Sequence, residues 1–234
     1  MKIMTFNVQH CKNFISGKID YEKVAEAIVS CGADVIGLNE VRGGRLVPFS
    51  PSQVKRLSRL TGIKNYYFGK SIGIFKGGPY GNAILSKYPI IEAETIRIPM
   101  PGRKGRKYKY RYERRCVVKA VLEGNITVLV THFGLNPDEQ ESAVKILTEN
   151  IEAEKCILMG DFNMPPDNSL QDPIREMLTD TANAFREKLL SFPSDRPSRR
   201  IDYIYVSNDI EVVSADVPEI IVSDHRPVLA EINI

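Results

Sequence analysis

The sequence lacks any long hydrophobic run, and this absence excludes a membrane-spanning helix. Its longest uncharged apolar stretches are far below the roughly 18 residues that such a helix needs. Met1 and Lys2 lead directly into an apolar, strand-like segment at Ile3–Val8, so we expect neither a signal peptide nor a membrane anchor. The sequence therefore predicts a soluble, cytoplasmic protein.

Cysteine pairs with C-x-x-C spacing are also absent. The four cysteines are scattered along the chain, and three of them sit in or beside apolar runs, where a reduced thiol packs as a small hydrophobic group. We interpret none of them as a metal ligand or as half of a disulfide. The sequence likewise contains no low-complexity tract and no short-period repeat.

Length and composition are compatible with one large domain or with two small ones. The chain has 234 residues, 43% of them hydrophobic, which is enough to bury a large core. No segment has the composition of a domain boundary. We therefore expect one domain at residues 1–234, acting as a monomer with no stable protein partner.

Positive charge is concentrated in one segment. The net charge is +3, but residues 103–115 contain eight basic residues against the single acid Glu113. The rest of the chain, with 24 basic and 28 acidic residues, has a net charge of −4. Because clustered charge attracts locally and is screened beyond about 10 Å, this basic segment is a candidate contact for phosphate groups. A solvated loop is the alternative.

Within the basic segment, cations alternate with tyrosines from Lys107 to Tyr112. An extended conformation would place the aromatic rings on one face and the cations on the other. Tyr110 and Arg111 are therefore candidates for stacking on bases and contacting a phosphate backbone. In the alternative, the tyrosines of a hairpin arm pack on the protein body and the cations face water.

Short β-rich runs dominate the chain, too many for a helical protein. They are Ile3–Val8, Val35–Leu38, Tyr66–Gly69, Ala83–Leu85, Thr95–Ile98, Cys116–Leu122, Ile126–Val130, Cys156–Met159, Ile201–Val206, Glu211–Val217 and Val228–Ile232.

Three helices are predicted between some of these runs. Tyr21–Ser30 has Asp20 as its cap, Pro51–Thr61 has Ser50 as cap with Gln53 in a capping box, and Pro137–Ile151 has Asn136 as cap with Glu139 in the box position. This mixture predicts two β-sheets packed face to face, with helices covering their outer surfaces.

Several apolar runs end abruptly at an amide, carboxylate or imidazole side chain. These residues are Asn7, Glu40, His132, Asp161 and Asn163. Strand ends can hold reactive groups rigidly at an open edge, so the recurrence indicates one shared rim. Any one of them alone would more often be a turn residue or a helix cap.

Two further polar segments lie beside late strands. Ser223–Pro227, with the sequence S-D-H-R-P, comes directly before the last strand, and Arg200–Ile204 opens an earlier one. The chain has only three histidines, and two of them, His132 and His225, fall among these strand-end residues.

These residues belong to seven short motifs that follow one another along the chain. The motifs are T-F-N at Thr5–Asn7, N-E at Asn39–Glu40, G-N-A-I-L-S at Gly81–Ser86, T-H at Thr131–His132, G-D-F-N at Gly160–Asn163, I-D-Y-I at Ile201–Ile204 and S-D-H at Ser223–His225. In this order they resemble the endonuclease/exonuclease/phosphatase superfamily, which includes deoxyribonuclease I. One four-residue motif is weak evidence, but seven in order cover essentially the whole chain.

The resemblance implies an α/β (α+β) fold of the deoxyribonuclease I type. This fold is a four-layer α/β/β/α sandwich of two mainly antiparallel sheets, with the site at one edge between the sheets. The strand count agrees with it but does not fix the topology.

The resemblance also implies a divalent-metal site. Glu40 corresponds to the principal ligand, Asn7 lies beside it, and Asp224 is either a further ligand or a partner of one. An all-oxygen set of ligands, completed by water and phosphate, suits Mg²⁺ or Mn²⁺.

The catalytic roles are implied in the same way. Asp161 corresponds to the base that orients and deprotonates the attacking water, and Asn163 to a donor to phosphate oxygens. His225 corresponds to a cation or donor at the phosphate, with Asp202 fixing its tautomer and favouring its charged form. His132 would donate to a phosphate oxygen or protonate the leaving oxygen.

Two more positions are candidate substrate contacts. Asn82 lies in the glycine-flanked turn before a short strand. His10 stands where some bacterial members of the superfamily have N-I-x-H-G, and this chain departs from that pattern with Cys11 in place of the glycine.

We therefore expect a divalent-metal-dependent phosphoesterase that hydrolyses a phosphodiester, either a nucleic acid or a small or lipid-derived ester, by direct attack of water. Hydrolysis of a phosphomonoester is an alternative, since the same groups could support it. A third alternative is a non-catalytic module that binds nucleic acid or anionic lipid. This fold serves many phosphoesters, and its specificity lies in loops.

Overall fold

The computed structural model describes residues 1–44, 52–74, 78–184 and 189–234, and strands make up most of its regular structure. The strands are β1 (Lys2–Asn7), β2 (Val35–Arg42), β3 (Asn65–Ile74), β4 (Gly78–Ser86), β5 (Ile90–Arg97), β6 (Cys116–Leu122), β7 (Ile126–His132), β8 (Cys156–Asp161), β9 (Leu178–Asp180), β10 (Asp202–Ser207), β11 (Glu211–Asp216) and β12 (Val228–Asn233). The α-helices are α1 (Tyr21–Cys31), α2 (Gln53–Thr61), α3 (Pro137–Thr148) and α4 (Asp172–Arg175). Short 3₁₀ turns occupy Gln9–Cys11, Arg103–Gly105, Ser169–Gln171 and Thr181–Ala184.

The strands form two six-stranded sheets. The first has the order β11-β12-β1-β2-β4-β3, and the second has the order β5-β6-β7-β8-β10-β9. Each sheet has one parallel pair, β1 with β2 and β7 with β8, and its other pairs are antiparallel. The prediction of two mainly antiparallel sheets is confirmed.

Alternating residues of the strands separate three hydrophobic layers. In β1, Ile3 faces the layer between the sheets, whereas Met4 and Phe6 face the helices on the other side. The first sheet packs its outer face on α1 and α2, and the second sheet packs its outer face on α3 and α4. This arrangement confirms the four-layer α/β/β/α sandwich.

The start of α1 was predicted correctly, but the start of α2 was not. Asp20 accepts a hydrogen bond from the Lys23 amide, as an N-cap does. At α2 the cap is Ser52 rather than Ser50, which lies with Pro51 outside the described residues. Gln53 forms no capping box, because its buried amide binds the Arg42 amide and the His10 carbonyl instead.

At α3 the cap residue has a different partner from the one expected. Asn136 occupies the N-cap position, but its side chain makes no capping bond. Its Nδ2 donates to the Tyr110 carbonyl and to Glu139 Oε2. Asn136 therefore connects the basic segment to the start of α3 instead of forming a capping box with Glu139. The helix ends at Thr148, three residues before the predicted Ile151.

Several strands are longer than the apolar runs that predicted them. β2 continues through Asn39 and Glu40, and β3 and β4 each extend well beyond their predicted cores. β9 was not predicted. Among the described residues, no helix is both long and apolar enough to cross a membrane.

Candidate active site

The polar residues that end apolar runs converge on one edge between the sheets. Asn7 is the last residue of β1, His132 the last of β7 and Asp161 the last of β8. His132 is paired in register with Asp161, and Asp161 with Asp202 at the start of β10. The pairing of the strands therefore brings these side chains to a common rim.

Glu40 reaches the same rim through an irregularity in β2. The register of β2 against β4 shifts between Leu38 and Val41, and Glu40 has a positive φ of 59°. Asn39, at the irregularity, is buried and bridges the sheets: its Nδ2 donates to the Thr131 carbonyl at 2.7 Å, and its Oδ1 accepts from the Asp161 amide at 3.0 Å. Such strained positions persist where the surrounding contacts fix them.

Asp161 lies at the centre of the rim and is almost fully buried. Its Oδ1 accepts from the Asn163 amide at 2.9 Å, and its Oδ2 accepts from Asn7 Nδ2 at 3.1 Å. Burial raises the pKa of Asp161 well above its ordinary range, although the charge of His225 opposes this and that of Asp202 adds to it. The carboxylate is therefore a more basic group than an exposed aspartate.

His225 lies between two carboxylates. Its Nδ1 is 2.8 Å from Asp202 Oδ2, and its Nε2 is 3.7 Å from Asp161 Oδ2. Burial alone would lower the pKa of His225, but Asp202 and Asp161 outweigh it and raise the pKa above the ordinary histidine value. Ser191 donates a second hydrogen bond to Asp202 Oδ2, at 2.6 Å. The charged imidazolium is therefore the favoured form.

His132 is buried beside Asp161 in a different environment. Its Nε2 lies 3.4 Å from Asp161 Oδ2 and 3.1 Å from Asn163 Nδ2, and its Nδ1 lies 3.0 Å from Arg115 NH1. Burial, and next the charge of Arg115, lower the pKa of His132 well below the ordinary value. The two histidines of the rim therefore differ in charge.

Glu40 and Asp224 add negative charge on the side of the first sheet. Glu40 Oε1 is 3.4 Å from Asn7 Nδ2, and Asp224 Oδ2 accepts from Gln9 Nε2 at 2.9 Å. Burial raises the pKa of Glu40, and Asp224 raises it further, while Arg115 has the opposite effect. A cation bound beside Glu40 and Asp224 would stabilise the charged forms of these carboxylates.

Of three predicted substrate contacts, His10 touches a residue of this centre, whereas Tyr110 and Arg111 are exposed to solvent. His10 Nε2 is 3.7 Å from Glu40 Oε2, and its ring packs on Tyr80 with centroids 5.0 Å apart. Tyr110 and Arg111 are exposed on the basic segment, which contains no strand among its described backbone.

Asn82 does not lie at the surface of the site. It is 2% exposed, its Oδ1 accepts from Asn39 Nδ2, and its Nδ2 donates to the Cys116 carbonyl. The expected substrate contact is therefore replaced by a supporting one, because both ends of the amide already have partners beneath the rim.

Four residues at the site were not predicted from the sequence. Asn39 could have been found, since it belongs to the N-E motif, but Gln9, Ser191 and Arg115 have no local pattern that marks them. Their partners, Asp224, Asp202 and His132 respectively, lie 215, 11 and 17 residues away along the chain. Only the fold brings these pairs together.

The donor set fits a hard divalent cation. Glu40, Asn7 and Asp224 offer carboxylate and amide oxygens, which suit Mg²⁺ or Mn²⁺. A second group, Asp161, Asp202 and His225, has ligand atoms within 4.8 Å of one another. Since His225 is held between two carboxylates that favour its protonated form, it is a poor metal ligand, and the Glu40 group fits a cation better.

Comparisons with known proteins identify a family and similar sequences. The model of the endonuclease/exonuclease/phosphatase family matches residues 4–225. The uncharacterized protein YbhP of Escherichia coli is 25% identical over 256 aligned positions, which cover 100% of this chain and 96% of that protein.

Solved structures share the fold. The endonuclease/exonuclease/phosphatase protein of Beutenbergia cavernae superimposes with a TM-score of 0.81 at 23% identity, covering 100% of this chain and 71% of that one. The mannosyl-6-phosphatase Bt3783 of Bacteroides thetaiotaomicron superimposes with a TM-score of 0.79 at 15% identity over 100% of both chains. The 3′ phosphatase NExo from Neisseria, bound to a product DNA hairpin, has a TM-score of 0.68 at 16% identity, again over 100% of both chains.

Proposed function

The chain belongs to the endonuclease/exonuclease/phosphatase family, whose members are hydrolases acting on phosphoester bonds, and we propose that it hydrolyses a phosphodiester by direct attack of water. One observation carries the proposal. Asp161, a buried carboxylate of raised pKa, is surrounded by Asn7, His132 and His225, all within 3.7 Å of its Oδ2. These are the groups that water activation and phosphate binding require.

Asp161 takes the proton of the attacking water. Its Oδ1 is held by the Asn163 amide, which leaves Oδ2 facing the space where the groups converge. As the new bond forms between the water oxygen and phosphorus, the ester oxygen departs with its bonding electrons. A raised pKa suits this role, since a base is most effective when its pKa lies near the working pH.

His225 and Asn163 stabilise the charge that builds up on the phosphate oxygens. Asp202 holds His225 through Nδ1, so the Nε2–H is free to donate toward the site. Donors that are fixed before the reaction cost little reorganisation when the charge develops.

Glu40, Asn7 and Asp224 would hold Mg²⁺ or Mn²⁺. When bound, the cation supplies neutralisation of the phosphate charge and polarisation of the phosphorus–oxygen bond. Asn7 Nδ2 lies between the two acids, 3.4 Å from Glu40 Oε1 and 3.1 Å from Asp161 Oδ2. The metal site and the base therefore share one residue.

Phosphomonoester hydrolysis is the second candidate. Two of the similar structures are named as phosphatases, one for mannosyl-6-phosphate and one for a 3′ phosphate on DNA. The same base, donors and cation would serve a monoester, because only the groups that bind the second ester substituent differ. The exposed Tyr110 and Arg111 are candidates for that binding when the substrate is a nucleic acid.

The test compares Asp161→Asn with wild type on a chromogenic phosphodiester, a chromogenic phosphomonoester, plasmid DNA and RNA, each with Mg²⁺, Mn²⁺ or EDTA. We expect turnover that EDTA abolishes and that Asp161→Asn lowers by about 10²- to 10⁴-fold. The matched control is Asp167→Asn, the same change at an exposed position in the following loop, which should leave turnover unchanged.

Three outcomes would count against the proposal. Unchanged turnover in Asp161→Asn would remove the base assignment, and turnover in EDTA would remove the metal requirement. No turnover on any substrate, in protein that binds the cation, would favour the non-catalytic binding module. A nucleic-acid substrate is distinguished by binding to Asp161→Asn that weakens steeply with salt, because each neutralised phosphate releases condensed counterions.

A further inference from the structure

Arg115 is a nearly buried cation at the site with no role in the proposed reaction so far. It directly precedes β6, and its side chain is only 9% exposed. Its NH1 is 3.0 Å from His132 Nδ1 and its NH2 is 3.2 Å from Glu113 Oε2. Its Nε is buried and has no hydrogen-bond partner in the part of the chain that the structure describes. A guanidinium placed in this way is costly unless its contacts are specific.

The contact with His132 fixes the position of the imidazole proton. A guanidinium has only N–H groups, so it can donate but never accept. His132 Nδ1 must therefore be the acceptor, and in the neutral ring the proton then sits on Nε2. The opposite tautomer would turn an N–H toward the Arg115 N–H group, because His132 Nδ1 contacts no other polar partner among the described residues.

The surroundings of Nε2 contain one carboxylate acceptor, Asp161, and one amide donor, Asn163. Asp161 Oδ2 lies 3.4 Å away and can accept from an Nε2–H. Asn163 Nδ2, at 3.1 Å, does not require Nε2 to accept, because it has another acceptor in the Phe133 carbonyl at 3.2 Å. In this tautomer the proton of His132 lies on the nitrogen nearest to Asp161, the base of the proposed reaction.

The charged form of His132 is disfavoured by the same neighbours. A second proton, on Nδ1, would face Arg115. The titratable groups that act on this ring are Arg115, His225 and His10, all of which lower its pKa after burial does, with Asp161 on the Nε2 side. A ring that stays neutral has no proton to give as an imidazolium.

We propose that Arg115 is a positioning residue that holds His132 as the neutral Nε2–H tautomer, so that the single Nε2–H of His132 is available to donate a hydrogen bond to a phosphate oxygen beside Asp161. The role in turnover rests on the proposed function, but the tautomer does not. Two roles were expected for His132: donating to a phosphate oxygen or protonating the leaving oxygen. A His132 ring that stays neutral keeps the first role and loses the second.

The direct test is the nitrogen spectrum of the histidine rings. With only three histidines in the chain, selective ¹⁵N-histidine labelling and long-range ¹H–¹⁵N correlation resolve each ring, and His132→Asn assigns the signal. In metal-free wild type between pH 5 and 8, we expect a non-protonated Nδ1 and a protonated Nε2 for His132. A proton on Nδ1, or titration of the ring in this range, would overturn the proposal even without any variant.

Variants then separate positioning from packing. Arg115→Met removes the guanidinium that donates to His132 and leaves a long unbranched side chain in its place. His132 should then adopt a mixture of tautomers, and kcat should fall roughly 10- to 100-fold. Arg115→Lys restores an obligate donor and should restore the wild-type nitrogen pattern. The matched control, Arg59→Met, changes an exposed arginine on α2, outside the basic segment, and should alter neither quantity.

The outcomes remain distinguishable from failure of the proposed function. An unchanged His132 spectrum in folded Arg115→Met would remove the positioning role whatever the activity. The expected spectra in a protein without phosphoesterase activity would leave the tautomer assignment standing and remove only the reaction.

Discussion

At the scale of single residues, backbone strain is concentrated at the proposed site. Seven non-glycine residues in the described part of the chain have a positive φ. Five of them, at or next to the rim, are Gln9, His10, Cys11, Glu40 and Asn163. Positive φ is uncommon outside glycine and persists only when the surrounding structure imposes it. The strain therefore supports a function for this rim independently of the motifs.

Glu40 provides the first prediction at this scale. Glu40→Gln should raise the apparent Kd for Mg²⁺ by about tenfold or more, since the number of charged ligands tunes the affinity of oxygen sites. Because burial raises the pKa of Glu40, its charge is costly without a cation, and the metal-free variant should be at least as stable as wild type. Isothermal titration with Mg²⁺ and metal-free thermal unfolding measure the two effects.

The control for this change is Glu26→Gln, an exposed glutamate paired with Lys23 on α1. It should leave the Mg²⁺ affinity unaltered. If Glu40→Gln binds Mg²⁺ as wild type does, the cation belongs elsewhere, and the group of Asp161, Asp202 and His225 becomes the next candidate.

At the scale of elements, the sequence predicted apolar strand cores better than strand extents. β6 matches its apolar run at both ends, because every residue from Cys116 to Leu122 fits a half-buried or buried strand. β2 was predicted to stop at Leu38, since polar residues inside an apolar strand normally end it. Here the buried Asn39 satisfies its amide across the sheets, which local pattern cannot reveal.

The site was predictable wherever a motif marks a strand end, and not where a partner comes from a distant loop. Asn7, His132 and Asp161 lie together as expected, because parallel pairs align their carboxyl ends. Arg115 was assigned only to the basic segment. Its contact with His132 depends on how residues 103–115 lie against α3, which no short-range pattern specifies.

Gly160 provides a prediction about how β7 and β8 pack. A Cβ at this position would lie 1.9 Å from the Thr131 carbonyl oxygen on the neighbouring strand, and φ is 150°. Gly160→Ala should therefore push the strands apart and lower the free energy of unfolding by about 3 kcal/mol or more. Urea unfolding followed by circular dichroism measures this change.

The control is Gly102→Ala, where an added Cβ meets nothing within 4 Å and φ is −59°. This variant should unfold at the same urea concentration as wild type. Equal midpoints for the two alanine variants would show that the β7–β8 pair can separate at little cost, and that the close approach at Gly160 does not hold Asp161 in place.

At the scale of the whole molecule, the site is divided between the two sheets. Asn7 and Glu40 come from the first sheet, and His132, Asp161 and Asp202 come from the second. The apolar layer between the sheets joins them, with residues such as Ile3 and Val35 on one side and Val128 and Ile157 on the other. Neither sheet holds a complete set of groups, so the proposed chemistry requires both to be packed.

This division leads us to propose that residues 1–234 unfold as one cooperative domain, and the cysteines provide the probes. Cys11 packs with the helices of the first sheet, whereas Cys116 and Cys156 belong to strands of the second, and all three are buried and free. Burial raises the pKa of Cys11 to about 12 and that of Cys156 to about 11, which keeps the native thiols unreactive.

In pulse alkylation across a urea series, read by mass spectrometry, we expect one labelling midpoint shared by all three cysteines, since neither sheet can expose its inner face while the other stays folded. Labelling of Cys11 at a lower urea concentration than Cys116 and Cys156, or the reverse order, would instead mean that each sheet and its helices fold as a separate unit.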